Sequence, residues 1–305
     1  MSDFAHPDYD WLPQDVKDFI TRTEASYPAD AVNFTIAQQR AFYDKLCAEF
    51  DAPYPAGLSA QDELIAGVPC RRYRPSAPRA GVTALYFHGG GFIVGGLHSH
   101  DSICAELAEG AQVELVSVDY RLAPEHRHPA AHHDALAVFD AIGGTRILVG
   151  DSAGGNLCAG LAAVRPEVAG QILIYPGLGG ERTLPSYTRH AKAPMLTTAD
   201  VDYYGEILFE GARPRDDVTA SPLCATDYRA LPRTVIFTAQ CDPLASDGAE
   251  YAARLAEAGV DVALTEEPGL VHGYLRARGS ARQARDSFAR ITQALSDMVT
   301  RVQAQ

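Results

Sequence analysis

The sequence predicts an α/β protein with a mostly parallel central sheet, helices on both faces and a helical cap. Short, unbroken apolar runs alternate along the chain with helix-like segments, a pattern typical of parallel strands buried on both faces. A glycine-rich stretch follows the first of these runs, and aromatic residues are frequent within the first 50 residues. The 305 residues are 47% hydrophobic, so they can bury a large core.

The predicted strands are short runs that end at glycine or polar residues: 82–88, 113–118, 146–149, 171–175, 234–239 and, more weakly, 260–265. Helix-like segments lie between them, at 99–110, 130–142, 153–164 and 247–258. For the last helix we expect an N-cap at Ser246 or Asp247, with Gly259 ending it.

Two regions do not follow this alternation, and we predict that they cap one end of the sheet. Residues 1–50 are helix-like and aromatic, and residues 185–215 form a long insertion that carries a helical run at 198–209. Extra packing on the flank of the sheet is the alternative. The expected organisation is an N-terminal cap segment at 1–50, a catalytic core at 51–184 and 216–305, and a cap insertion at 185–215. A linker is expected at 51–60.

Charge and composition exclude several classes of partner. The formal net charge is −13, from 39 acidic and 26 basic side chains, which disfavours nucleic acids and anionic membrane surfaces. The sequence has no 18-residue apolar stretch and no secretory signal at its N-terminus, so we expect a cytoplasmic protein. The six cysteines form no C-x-x-C pair, which indicates buried thiols rather than disulfides or a zinc site.

Residues 150–154 read Gly-Asp-Ser-Ala-Gly, directly after a predicted strand and before a predicted helix. This is the G-x-S-x-G turn of the α/β-hydrolase fold, in which a strained serine projects above the sheet. Ser152 is therefore the predicted nucleophile. Asp151 beside it is interpreted as a structural hydrogen-bonding residue.

A serine hydroxyl needs a base to accept its proton, and in this fold an acid and then a histidine follow the serine along the chain. Asp242 follows the strand predicted at 234–239, and His272 is the only histidine after residue 190. We predict that Asp242 orients His272 as its hydrogen-bond partner. Asp247 is the alternative acid, but it is better interpreted as a helix-capping residue.

The glycine-rich stretch 86–96 (YFHGGGFIVGG) could bind phosphate or an oxyanion. The phosphate motifs fail on spacing, because Gly96 stands where a P-loop needs lysine and Val94 where a dinucleotide loop needs glycine. The backbone amides of Gly89, Gly90 and Ala153 are therefore predicted to form an oxyanion hole. Several histidines are paired in sequence, but none has a metal-ligand spacing, so no metal is expected.

Six motifs in order resemble the bacterial hormone-sensitive-lipase-like carboxylesterases, an α/β-hydrolase family. They are the segments 88–91 (HGGG), 119–126 (DYRLAPEH), 150–156 (GDSAGGN), 175–177 (YPG), 242–244 (DPL) and 272–273 (HG). The resemblance implies hydrolysis of short-chain carboxylic esters as small-molecule substrates, without metal or organic cofactor. It also allows a homodimer, the form of many members.

The expected function is thus that of a serine carboxylesterase that forms an acyl-enzyme intermediate. Phe92, Leu178, Tyr204 and Leu208 are the predicted substrate-binding residues. An arylformamidase-like amidase is one alternative, although such enzymes tend to carry an aromatic residue where this chain has Gly91. A non-catalytic small-molecule-binding homologue, like the plant gibberellin receptors, is the other. Such receptors typically lose a triad member, and this chain keeps all three.

Overall fold

An eight-stranded sheet lies at the centre of the computed structural model, which describes residues 4–28 and 30–304. Its strands run in the order β1-β2-β4-β3-β5-β6-β7-β8. The β1–β2 and β2–β4 pairs are antiparallel and all other pairs are parallel. The strand bounds are β1 Ser59–Ile65, β2 Val68–Arg74, β3 Val82–Phe87, β4 Glu114–Val118, β5 Thr145–Asp151, β6 Val168–Ile174, β7 Thr234–Cys241 and β8 Val262–Val271.

Helices cover both faces of this sheet, which is why the central strands are apolar without alternation. Alternate residues of β3 show the two sides: Tyr86 belongs to the core beneath α1, α3 and α9, and Leu85 to the core beneath α2, α4, α5 and α8. The helix bounds are α1 Gln14–Ser26, α2 Ile36–Glu49, α3 Asp101–Ala111, α4 Ala130–Ala141, α5 Ala153–Val164, α6 Pro185–Arg189, α7 Thr198–Phe209, α8 Ala245–Glu257 and α9 Arg282–Gln303.

The predicted α/β-hydrolase fold is confirmed, with several local differences. The β1–β2 hairpin was not predicted, because ion pairs such as Arg71–Asp62 and Arg72–Glu63 give it the polar composition of a loop. The predicted linker overlaps β1, which begins at Ser59. Helix α8 begins at Ala245 with Leu244 as its N-cap, so the predicted caps Ser246 and Asp247 are wrong.

Helices α1 and α2 from the N-terminal region, and α6 and α7 from the insertion, each contribute residues to the border of one cavity, which also includes Ser152 after β5. Arg40 of α2 holds its helix to the core, where its guanidinium donates to the carbonyls of Ile93 and Ala123 and to the Glu125 carboxylate. Within the described ranges, no helix is long and apolar enough to cross a membrane. Five of the six cysteines are buried free thiols, and Cys224 is a half-buried one.

Candidate active site

Ser152 occupies a strained turn between β5 and α5. Its backbone has φ 54° and ψ −114°, a conformation that L-residues adopt at a cost. The flanking glycines allow the backbone segments around this turn to pack closely. A Cβ at Gly150 would lie 2.4 Å from the Gly154 oxygen, and one at Gly154 would lie 1.8 Å from the Phe87 oxygen. The sequence therefore needs glycine at both positions for α5 to approach the sheet.

His272 and Asp242 come together through the register of β7 and β8. Cys241 pairs with Val271 in this parallel ladder, so the next residue on each strand, Asp242 and His272, leaves the sheet at the same level. The His272 Nδ1 atom lies 2.7 Å from the Asp242 Oδ2 atom, and its Nε2 atom lies 2.9 Å from the Ser152 Oγ atom. The three predicted residues thus form one hydrogen-bonded chain, in which Asp242 is fully buried.

The glycine loop after β3 differs from the prediction at its first residue. The Gly89 amide donates to the Oδ1 atom of Asp151 at 2.9 Å, so it has no hydrogen left for a substrate oxygen. The predicted oxyanion role of Gly89 is therefore corrected. Gly90 and Gly91 border the cavity beside Ser152 and Ala153, and their amides donate to no other residue in the described part of the chain.

Asp151 is the centre of a buried polar network behind the glycine loop. It accepts hydrogen bonds from the Tyr86 hydroxyl at 2.8 Å and the Tyr175 hydroxyl at 3.3 Å, and the His100 Nε2 atom lies 3.3 Å from it. Burial raises the pKa of this carboxyl, but the interactions with His100 and Tyr86 outweigh burial and hold the pKa below its usual range. Asp151 is thus an ionised anchor for the loop.

A cavity of about 150 Å³ opens directly above Ser152 and His272. Three of the four predicted substrate-binding residues, Phe92, Tyr204 and Leu208, border it. Leu178 does not: it is fully buried in the core, its carbonyl accepts from the Leu223 amide, and the prediction for this residue is corrected. Leucine is common both in protein cores and at the borders of substrate cavities, and the sequence offers no signal that separates these two environments.

Asp247, the alternative acid, has a structural role that differs from helix capping. Its carboxylate accepts hydrogen bonds from the amides of Leu178 and Gly180, at 2.7 Å and 3.1 Å, and from the Tyr187 hydroxyl at 2.9 Å. Burial raises the pKa of Asp247, and these donors only partly offset that effect. The residue ties the segment after β6 to α8 and makes no hydrogen bond to His272.

Several cavity residues were not predicted from the sequence. They come from α1, α2 and the turn after His272, namely Thr23, Tyr27, Tyr43, Leu46 and Arg276. Helical spacing in residues 1–50 could have placed Thr23 and Tyr27 on one side of the first helix and Tyr43 and Leu46 on one side of the second, but not the surface that these sides meet. Among the described residues, no cluster of three or more histidine, cysteine or acidic side chains could hold a metal ion.

Comparison with known proteins agrees with the fold. A model of a family with the α/β-hydrolase fold matches residues 84–276. A carboxylesterase of Mycobacterium tuberculosis (NlhH) is 40% identical over 227 residues, which cover 68% of this chain and 71% of the relative. An ethyl acetate hydrolase of Pseudomonas putida is 34% identical over 247 residues, which cover 75% of this chain and 78% of the relative.

The solved structure of an ester hydrolase from the metagenome of Lake Arreo, Spain, has a TM-score of 0.85 and 30% identity. The match covers 94% of this chain and 98% of the chain in that structure. The fold and site therefore define an α/β hydrolase that acts on carboxylic esters. The chain belongs to the hormone-sensitive-lipase-like carboxylesterases of this family, as its motifs predicted.

Proposed function

We propose that this ester hydrolase cleaves short-chain acyl esters through a Ser-His-Asp triad and an acyl-enzyme intermediate. The observation that carries the proposal is the hydrogen-bonded chain from Ser152 through His272 to Asp242 at the base of the cavity. Its two distances, 2.9 Å and 2.7 Å, lie within the range for proton transfer between a nucleophile and its base.

The first half-reaction forms the acyl-enzyme. His272 Nε2 accepts the hydroxyl proton as Ser152 Oγ attacks the ester carbonyl carbon. Asp242 holds the Nδ1–H tautomer of His272 and stabilises the imidazolium that forms. The tetrahedral intermediate then collapses, His272 donates its proton to the leaving alkoxide, and the alcohol departs while the acyl group stays on Ser152.

The oxyanion of the tetrahedral intermediate is assigned to the amides of Gly90, Gly91 and Ala153. Ala153 is the first residue of α5, and an amide at that position has no intrahelical acceptor. Gly90 replaces Gly89 as the first donor, because the Gly89 amide is bound to Asp151. Each donor of this kind is worth roughly 3–4 kcal/mol of transition-state stabilisation.

In the second half-reaction, water replaces the alcohol. His272 takes a proton from this water, which attacks the acyl carbon on Ser152 through the same oxyanion site. The second intermediate collapses, Ser152 regains its proton from His272, and the carboxylic acid leaves. Every proton moves between Ser152, His272, the substrate and this water, so the reaction is balanced without a further group.

The size of the cavity supports a short acyl chain, from acetyl to hexanoyl. Its volume is about 150 Å³, and bulky side chains of α2 and α7, including Tyr43, Tyr204 and Leu208, border it. The relative from Pseudomonas putida is named for the hydrolysis of ethyl acetate, which is consistent with this range. We accordingly propose that the segments 1–50 and 185–215 act as the cap, with 51–184 and 216–305 as the catalytic core.

Rates on p-nitrophenyl esters of increasing acyl length test this proposal. We expect the highest kcat/KM between the acetyl and hexanoyl esters, and loss of turnover on all of them in Ser152→Ala. Faster hydrolysis of N-formylkynurenine than of p-nitrophenyl acetate would favour an arylformamidase instead. Absence of turnover on every short ester by the unsubstituted protein would favour a non-catalytic binder.

A further inference from the structure

A buried guanidinium group borders the catalytic cavity. Arg276 lies four residues after His272, in the short 3-10 helix Tyr274–Gly279 that follows β8. Its side chain borders the same cavity as Ser152 and His272, although the residue is only 8% exposed. Neither the predicted site residues nor the triad mechanism gives this cation a role.

The hydrogen bonds of Arg276 leave much of its donor capacity unused. Its Nη2 atom donates to the Tyr43 hydroxyl, and its guanidinium carbon lies 4.8 Å from the centre of the Tyr43 ring. The Nε atom has no partner within the described residues, and the guanidinium forms no ion pair with any carboxylate there. By contrast, Arg278, two residues later, pairs with Glu106 at 2.7 Å.

Nearby groups do not supply the missing negative charge. Asp151 is close enough for Arg276 to lower its pKa, but its Oδ1 atom accepts from Tyr86 and Gly89, and its Oδ2 atom lies 3.3 Å from the Tyr175 hydroxyl and from His100 Nε2. Burial raises the pKa of the Cys47 thiol more than Arg276 lowers it, so the thiol stays neutral. Arginine itself remains protonated in proteins. The ionised Asp151 and the face of the Tyr43 ring lie near the charge, but no carboxylate among the described residues is bound to it.

Two further polar groups, on residues that border the same cavity, are incompletely hydrogen-bonded. The Thr23 Oγ1 atom of α1 is buried without a hydrogen bond to any described residue. The Tyr43 hydroxyl accepts from Arg276, and its own O–H donates to no residue in the described ranges. Buried polar groups are almost always hydrogen-bonded, so three incompletely satisfied groups around one cavity indicate that a polar ligand group completes them.

Two other charged residues that border the cavity have partners. Asp247 is satisfied by the amides of Leu178 and Gly180, and Arg182 pairs with Asp202 at 2.7 Å. Arg213 resembles Arg276 in having no ion pair with a described carboxylate; it donates to the Ala220 carbonyl and lies over the Phe209 ring. Arg276 thus combines charge, deep burial and an unpartnered donor, while Tyr43 and Thr23 supply hydroxyl groups on the cap side of the cavity.

We propose that Arg276, with Tyr43 and Thr23, binds a carboxylate carried by the ester substrate. A planar guanidinium matches the geometry of a carboxylate, and the two hydroxyl groups can donate to the same anion. The substrate class is then a short ester with a free carboxylate, either on its acyl side, as in half-esters of diacids, or on its alcohol side, as in O-acyl hydroxy acids. This inference rests on the proposed esterase function.

Two matched pairs of esters test the inference and distinguish the two sides. Monomethyl succinate and methyl pentanoate differ in an acyl-side carboxylate, while 4-acetoxybutanoate and pentyl acetate differ in an alcohol-side carboxylate. Hydrolysis is followed by pH-stat, which needs no chromophore. In the unsubstituted protein we expect kcat/KM to favour the anionic ester of one pair by about tenfold or more, because hydrogen bonds to charged groups are stronger than neutral ones. A preference for the neutral ester in both pairs would overturn the inference.

Substitution of the guanidinium then assigns the preference to this residue. In Arg276→Met, we expect the ratio of anionic to neutral kcat/KM to fall by at least about tenfold, and in Arg276→Lys by less, because the charge remains without the fork. Arg229→Met, at an exposed surface arginine, is the matched control and should keep the original ratio. An unchanged ratio in Arg276→Met would overturn the inference.

If Arg276→Met does not fold, Tyr43→Phe and Thr23→Val give the same test. Each removes one hydroxyl and keeps most of the volume, so each should lower the ratio of anionic to neutral kcat/KM. Ratios unchanged in both would contradict the inference. If Ser152-dependent hydrolysis of the neutral esters is seen but kcat/KM does not favour the anionic ester of either pair, the carboxylate site is refuted and the proposed esterase function is not. Absence of Ser152-dependent turnover on all four esters would instead refute the proposed function.

Discussion

The backbone amide of Gly89 donates to the Oδ1 atom of Asp151, and the two atoms lie 2.9 Å apart. The residue immediately before the nucleophile therefore holds the first residue of the glycine loop. This bond fixes where Gly90 and Gly91 lie relative to Ser152, and it moves the proposed oxyanion donors one residue along the chain. Asp151 is accordingly a positioning residue for the proposed oxyanion hole.

Asp151→Asn should lower kcat more than it raises KM. An amide side chain loses the ionised acceptor shared by Gly89 and Tyr86, so the loop is no longer held at its place in the transition state. We expect kcat on p-nitrophenyl acetate to fall by about tenfold to a hundredfold, part of the effect of losing an oxyanion donor. Tyr86→Phe removes one hydrogen bond to Asp151 but leaves the bond between Asp151 and Gly89, so it should lower kcat by a smaller factor. A kcat for Asp151→Asn equal to that of the unsubstituted protein would contradict the assigned role.

Gly90→Ala should abolish most activity. Gly90 has φ +127°, and a Cβ there would lie 2.2 Å from the backbone oxygen of Val94. The loop must shift, so its amides move away from the substrate oxygen, and we expect a loss in kcat of about a hundredfold or more. Gly143→Ala is the matched control, because a Cβ at Gly143 meets no atom within 4 Å. Circular dichroism should show that both variants fold, and equal rates in the two would argue against this loop geometry.

Tyr204→Ala should shift acyl-length preference towards longer chains. The Tyr204 ring borders the cavity from α7, and its hydroxyl lies 3.4 Å from that of Tyr27. We expect the ratio of octanoyl to butanoyl kcat/KM to rise in this variant. Leu178→Ala should instead destabilise the protein by about 2–5 kcal/mol, as for other buried leucines, without changing that ratio. A changed ratio in Leu178→Ala would restore this residue to the pocket.

Two buried histidines should make the protein less stable in acid. Burial, reinforced by nearby histidines, lowers the pKa of His88 to about 3 and that of His132 to about 4, while an unfolded histidine has a pKa near 6.5. Between pH 6.5 and 4 the unfolded chain therefore binds more protons than the folded one. The free energy of unfolding falls as the pH drops through this window, by about 1.4 kcal/mol per pH unit for each histidine.

Denaturant unfolding at pH 7, 6, 5 and 4.5 measures this dependence. His132→Leu removes one of the two groups, and both of its ring nitrogens lack partners in the described structure. The slope of unfolding free energy against pH should therefore decrease in this variant by the contribution of one proton, about 1.4 kcal/mol per pH unit. A slope that is unchanged by the substitution would show that His132 protonates equally in both states.

Much of the architecture could be predicted because its signals are local. The apolar strands, the G-x-S-x-G turn and the order of Ser152, Asp242 and His272 are each visible in short segments of sequence. The β1–β2 hairpin was missed because cross-strand ion pairs, which depend on register, give its strands a polar composition. The C-terminal helix α9 was also not predicted.

The details of the site depend on contacts between distant segments. Whether the amide of Gly89 is free depends on a carboxylate 62 residues later, and no local pattern reports that bond. Leu178 was predicted to bind substrate, yet its side chain is fully buried in the core. Arg276 was overlooked because its burial beside Tyr43 arises only when α2 packs over the turn after β8.

Covalent labelling with an organophosphate tests the central claim, that Ser152 is the nucleophile, most directly. Diethyl p-nitrophenyl phosphate transfers its phosphoryl group to an activated serine and releases nitrophenolate. Intact-protein and peptide mass spectrometry should show one adduct, on Ser152, that forms as esterase activity disappears. Ser152→Ala should remain unlabelled, and His272→Ala should label far more slowly. An adduct on another residue, or full inactivation without modification of Ser152, would contradict the account.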